Sequence, residues 1–261
     1  MSNPPAPLSE ASERAIRFFD CNMRVGRAGV VRPEHILDVP GLLGEMDYLG
    51  IERALVYHAW APEWDAPGGN RKLLEELAGG SRMHPCLVPL PHATQEMDDP
   101  AAFAAEVKRL NGAARLYPKA HAYMLSDWTC GPLLTALADF QVPVLLELAQ
   151  VEWDQLAHIV QTYSTLPVIL LATSYRLNRY IYPLFEQCDN LYLEIATYQI
   201  MRGIEDVSRR FGPERLVFGT GLPLIDGGGP IAQVMYAELP EESKRLIAGG
   251  TLAKLLGVED W

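Results

Sequence analysis

Short apolar runs recur eight times along this chain, each followed by a longer amphipathic stretch, and no other feature limits its fold so strongly. The runs cover residues 15–21, 53–60, 83–92, 113–118, 142–150, 166–175, 190–199 and 215–224. Between and after them, residues 35–51, 71–80, 100–110, 131–140, 153–163, 176–188, 204–212 and 242–258 carry helical spacing of apolar side chains. Strands that alternate with helices build a parallel sheet. Eight such units in 261 residues match a (β/α)8 TIM barrel. A doubly wound open sheet is the alternative, but no G-x-G-x-x-G follows the first strand. No linker or change of composition divides the chain, so it reads as a single domain over 1–261. Residues 1–15, polar and rich in proline, read as a flexible N-terminal segment.

A formal net charge of −11 argues against a nucleic-acid surface, which needs clustered Lys and Arg. No run approaches a membrane span, and the N-terminus lacks the apolar core of a secretory signal. Cys21, Cys86, Cys130 and Cys188 are scattered, without a C-x-x-C pair, so neither a structural zinc site nor a redox motif is expected. The expectation is a reduced, cytoplasmic protein with a small-molecule ligand and neither a nucleic-acid nor a membrane partner.

The stretch "RFFDCNMRVGR" (17–27) has the layout of a metal-binding strand end, Asp-x-His-x-His-x-Gly, with Asn22 and Arg24 where the imidazoles would stand. "LLGEMDYLGIERALVY" (42–57) follows a helix-to-strand pattern ending at Gly and resuming with Arg–Ala. "RLVFGTGLP" (215–223) and "LIAGGTLAKLLGV" (246–258) follow an eighth-strand motif and a closing helix. In order and spacing these pieces resemble the amidohydrolase superfamily, in its amidohydrolase-related branch of metal-dependent hydrolases and decarboxylases. The resemblance implies metal ligands at the positions of Asn22, Arg24, Glu147, Thr173 (or Ala172 with the register moved by one) and Gly221. Only Glu147 is a strong donor, and a guanidinium opposes a dication. The family's metal is therefore expected to be replaced, and no cofactor is expected.

At the carboxyl ends of barrel strands, side chains line the functional mouth. Glu147, His58 and Arg24 are the catalytic candidates. Asn22, Arg24, Lys119, His92, His121, Thr173, Tyr175 and Tyr198 are the candidates for substrate contact. Arg24 and Glu147 either pair with each other in place of the cation, or Arg24 grips a substrate anion while Glu147 acts as base. Arg115 lies inside the fourth strand and could face either way. Cys21, between Asp20 and Asn22, is expected to face the helices by strand alternation, as a small buried hydrophobe. "DGGGP" (226–230) reads as a flexible loop. Trp60, Trp64, Trp128, Tyr175 and Tyr198 either wall a ring-binding pocket or pack beneath loops.

Two functional classes stay open. One is a metal-independent hydrolase or lyase acting on a small anionic or carbonyl-bearing molecule. The other is a non-catalytic binding or regulatory barrel. A displaced metal set of His58, His92 and Glu147 is a third reading. The resemblance also implies a homodimer.

Overall fold

The computed structural model describes residues 16–30, 35–80 and 82–261. The expected N-terminal segment, 1–15, lies outside them. Eight parallel strands stand in sequence order around one sheet. They are β1 (Phe18–Val25), β2 (Ile51–His58), β3 (Met83–Leu87), β4 (Ala113–Leu116), β5 (Val144–Glu147), β6 (Val168–Leu171), β7 (Leu191–Glu194) and β8 (Leu216–Val217). Backbone hydrogen bonds close the ring between its ends. Cys21 N–H donates to the Phe218 carbonyl at 3.0 Å, and Gly221 N–H to the Asn22 carbonyl at 3.0 Å. The fold is a (β/α)8 barrel, as the alternation predicts.

The helices among the described residues are α1 (Val39–Leu49), α2 (Trp60–Glu63), α3 (Ala66–Leu77), α4 (Pro100–Arg109), α5 (Asp127–Asp139), α6 (Trp153–Thr162), α7 (Asn178–Gln187), α8 (Gly203–Phe211), α9 (Gly228–Met235), α10 (Glu241–Arg245) and α11 (Thr251–Leu256). Their limits follow local chemistry. Asp38 caps α1 by accepting from Gly41 N–H at 2.8 Å, and Gly50 ends it in the left-handed region at φ 72. Asp99 caps α4 in the same way, with Pro100 in its first turn. None of these helices is long and apolar enough to cross a membrane.

The strands read as unbroken apolar runs because both of their faces are buried. Val144, Leu146, Val168, Leu170, Leu191 and Leu193 face the helices. Leu145, Ile169, Leu171 and Val217 fill the interior with Phe19, Leu55 and Tyr57. The bottom is plugged by Trp261, whose ring lies 5.2 Å from Phe19, with the Arg17 guanidinium 4.3 Å over it.

Three expectations need correction. The eighth strand is only two residues long, although the chain beyond it stays hydrogen-bonded to β1 as far as Leu222. "DGGGP" is not all loop, since its last three residues begin α9. The closing helix is interrupted by a π turn at Leu246–Gly250. There, a side chain on Gly249 would meet the Trp261 ring at 2.3 Å, so only glycine admits this packing.

Candidate active site

The site begins with an irregularity in β1. Asp20 pairs with Ala54 and Met23 with Val56, so β1 spends one residue more than β2 over the same length. This bulge breaks the alternation on which the placing of Cys21 rested. Cys21 belongs to the interior cluster with Leu55 and Tyr57, not to the helix interface. Asn22, next in sequence, also reaches inward. Burial and the neighbouring Glu194 hold the Cys21 thiol well above its usual range, so it is inert as a nucleophile.

Arg115 is the centre of the interior. It shares a strand face with Ala113 and Tyr117, and its side chain is only 2% exposed. Its Nη1 donates to Asn22 Oδ1 at 2.7 Å, and its Nη2 donates to Glu147 Oε1. The Tyr57 ring stands 4.2 Å from the guanidinium carbon and the Tyr117 ring 5.4 Å, a cation–π arrangement in a dry setting. Asn22 continues the network by donating to Glu194 Oε1 at 2.9 Å. The other Glu194 oxygen faces the N–H of Ala172 at 3.4 Å, and Ala172 holds a left-handed φ of 56. Gly219 makes room for this carboxyl, since a Cβ there would lie 2.7 Å from Glu194 Oε1.

Burial sets the charges. It pushes Glu194 above the usual carboxyl range, although the Asn22 and Ala172 donors pull the other way. It also pushes Asp20 up to about 7, against the hydrogen bonds from Thr220 and Asn22. The Arg115 guanidinium thus pairs with Glu147 and acts on Glu194, and both Glu194 and the more distant Asp20 are biased toward their neutral forms.

The predicted pair of Arg24 and Glu147 is not formed. Glu147 takes Arg115 from the adjacent strand, while Arg24 turns under the first loop with Nη1 4.0 Å from Glu63 Oε1. The Nε and Nη2 atoms of Arg24 are buried and have no hydrogen-bond partner among the described residues. His58 is also displaced from its expected place. Tyr57 takes the inward position, and the buried His58 ring lies 4.0 Å from Glu76 on α3. Its Nδ1 accepts from Trp60 N–H at 3.1 Å, and burial lowers its pKa. Tyr198 points outward too, donating to Asn178 Oδ1 at 2.9 Å beneath α7.

The remaining candidates spread around the rim. Lys119 is exposed and pairs with Glu152 at 2.7 Å. His92 is exposed in a 3-10 turn, and so is Tyr175 in another. Thr173 is buried, with no partner for its Oγ1 among the described residues and its carbonyl accepting from Thr197 at 2.7 Å. His121 is half-buried, 5.9 Å from the Tyr117 ring. The structure therefore brings together Asn22 and Glu147 with Arg115 and Glu194, neither of which stands among the catalytic or substrate-contact candidates. The available signal was parity: the outer face of "AARL" meets apolar helices, which leaves the interior for Arg115.

These residues do not fit the divalent metal that the resemblance implies. The guanidinium fills the space between Asn22 and Glu147, and Gly221 supplies no side chain. Among the described residues no three His, Cys, Asp or Glu groups stand together as a ligand set.

No family model matches the chain, and no curated protein matches it in sequence. Solved structures match in shape. The 5-carboxyvanillate decarboxylase of Sphingomonas paucimobilis superposes with a TM-score of 0.72 at 14% identity, covering 93% of this chain and 99% of that one. The corresponding enzyme of Novosphingobium aromaticivorans, with manganese and a nitrobenzoic acid bound, gives 0.73 at 11% identity over 95% and 99%. The 2,6-dihydroxybenzoate decarboxylase from Rhizobium gives 0.68 at 14% identity over 94% and 100%. These neighbours are amidohydrolase-type barrels, and at such identities the likeness is one of fold.

Proposed function

We propose that this chain is a lyase or hydrolase that acts on a small anionic or carbonyl-bearing molecule without a divalent metal. The observation that carries the reading is Arg115, whose guanidinium lies between Asn22 and Glu147 at the carboxyl ends of the strands. A fixed cation in a dry site stabilises negative charge that develops on a substrate oxygen, and it needs no reorganisation to do so. Arg115 Nε, buried with no acceptor among the described residues, adds to that role. Glu147, whose side chain is 31% exposed, is the group that exchanges a proton with substrate. In hydrolysis it takes the proton of a water attacking the carbonyl. The structural neighbours are decarboxylases of aromatic acids, which makes hydroxybenzoic acids the first compounds to try.

The test is turnover of a panel of hydroxybenzoates, aryl esters and lactones in the presence of a chelator, read by mass spectrometry. Chelator-resistant turnover that falls by at least about a hundredfold in Glu147→Gln supports the reading. Turnover that requires added manganese or zinc, or that survives Glu147→Gln unchanged, overturns it. A binding or regulatory barrel is the second reading, favoured by Glu147 being already tied to Arg115. Saturable binding without turnover selects it.

A further inference from the structure

Three consecutive strand-to-helix loops line a second cavity, of about 570 Å3, beside the barrel mouth. Trp64 and Asp65 come from the loop after β2, and Glu96 from the loop after β3. Met124 follows β4, and Trp128 stands in the first turn of α5. The volume is that of a small-molecule pocket. Neither Arg115 nor Asn22, Glu147 or Glu194 lines it, so it is separate from the Arg115 centre.

The apolar wall of this cavity is open to solvent. Trp128 is 80% exposed, Trp64 59% and Met124 53%. Large apolar side chains scattered singly over a surface need no ligand, but three around one cavity mark a binding site. Trp64 is braced from one side by Trp60, whose ring lies 6.0 Å away at 60°. Ala122, in the same lining, holds the left-handed region at φ 53, a conformation that concentrates at ligand sites.

The charge of the lining has one sign. Asp65 and Glu96 are both exposed, and no Lys or Arg lines the cavity. Asp65 caps α3 by accepting from Gly68 N–H at 3.0 Å, and neither carboxylate has an ion-pair partner among the described residues. Burial holds the His121 ring below its usual range, so it adds no positive charge at neutral pH. Carboxylates draw cations toward such a cleft, and the face of an indole attracts a cation more strongly than any other side-chain ring does. A methylated ammonium suits these walls best, because it has no N–H to satisfy and presents methyl groups to the rings.

We propose that this cavity binds a small molecule bearing a quaternary ammonium group, with its methyl groups against the indoles of Trp64 and Trp128 and its charge toward Asp65 and Glu96. The Met124 thioether completes the apolar wall. Binding here is independent of turnover at Glu147.

The experiment uses the full chain and reads binding alone. Choline and 3,3-dimethylbutan-1-ol, in which carbon replaces the nitrogen, are titrated by calorimetry and ligand-observed NMR. Choline should bind at least about tenfold more tightly than the alcohol, since the two differ in charge and hardly in shape. Trp128→Ala should weaken choline at least about threefold, and Glu96→Gln should weaken choline while leaving the alcohol unchanged. Both side chains are exposed, so each variant should keep the wild-type circular dichroism spectrum. Equal affinity for the two probes, no saturable binding of choline, or a choline affinity indifferent to Trp128→Ala or to Glu96→Gln overturns the proposal.

Discussion

Replacing Arg115 by Met keeps most of the side chain's length and removes its charge and donors. The loss strands Asn22 Oδ1, which receives Nη1 at 2.7 Å, and Glu147 Oε1, which receives Nη2. Removing one partner of a buried ion pair costs about 3–5 kcal/mol. The Glu147 side chain is 31% exposed, so water restores part of its solvation and the expected cost falls to about 2–4 kcal/mol. At about 2 °C per kcal/mol for a chain of this length, the midpoint should drop by roughly 4–8 °C. Differential scanning calorimetry reads the change directly. The double variant R115M/E147Q should recover stability relative to R115M, with a coupling of at least about 1 kcal/mol, because the two side chains touch. A midpoint within a degree of wild type for R115M, or a double variant equal to the sum of its singles, would refute the reasoning.

Two further outcomes follow from the same geometry. Asp20 is pushed up to about 7 by burial, while its unfolded value is near 4. A carboxyl raised in the folded state contributes stability below the unfolded value and loses it as pH rises through the folded value. Asp20→Asn, which imitates the neutral form, should therefore gain on wild type between about pH 4 and 7 in urea unfolding; a constant gap contradicts this. Gly26 holds φ 84, and a Cβ there would lie 2.3 Å from His58 Nε2. Gly26→Ala should cost at least about 2 kcal/mol in the same assay, through clash and backbone strain, and a neutral result would show that His58 moves freely.

The fold was legible because eight strands buried on both faces must be apolar throughout, and the helices between them must not be. The site was legible only where alternation held. Tyr57 and His58 are adjacent, and the hydropathy of "LVYHAW" does not say which one faces the interior; the structure turns Tyr57 in and His58 against Glu76. The bulge between Asp20 and Met23 leaves no mark in composition, and it brings both Cys21 and Asn22 inward. Arg24 and Glu147 both stand at positions that the resemblance implies bind one metal, whereas Arg115 holds no such position and reaches the same carboxylate from the neighbouring strand.

The central claim is that the Arg115 guanidinium takes the place of a divalent ion. Inductively coupled plasma mass spectrometry on protein expressed with added manganese and zinc, and purified without chelator, tests it most directly. The account predicts metal well below one ion per chain. One manganese or zinc per chain would contradict it and require a ligand set that excludes the guanidinium.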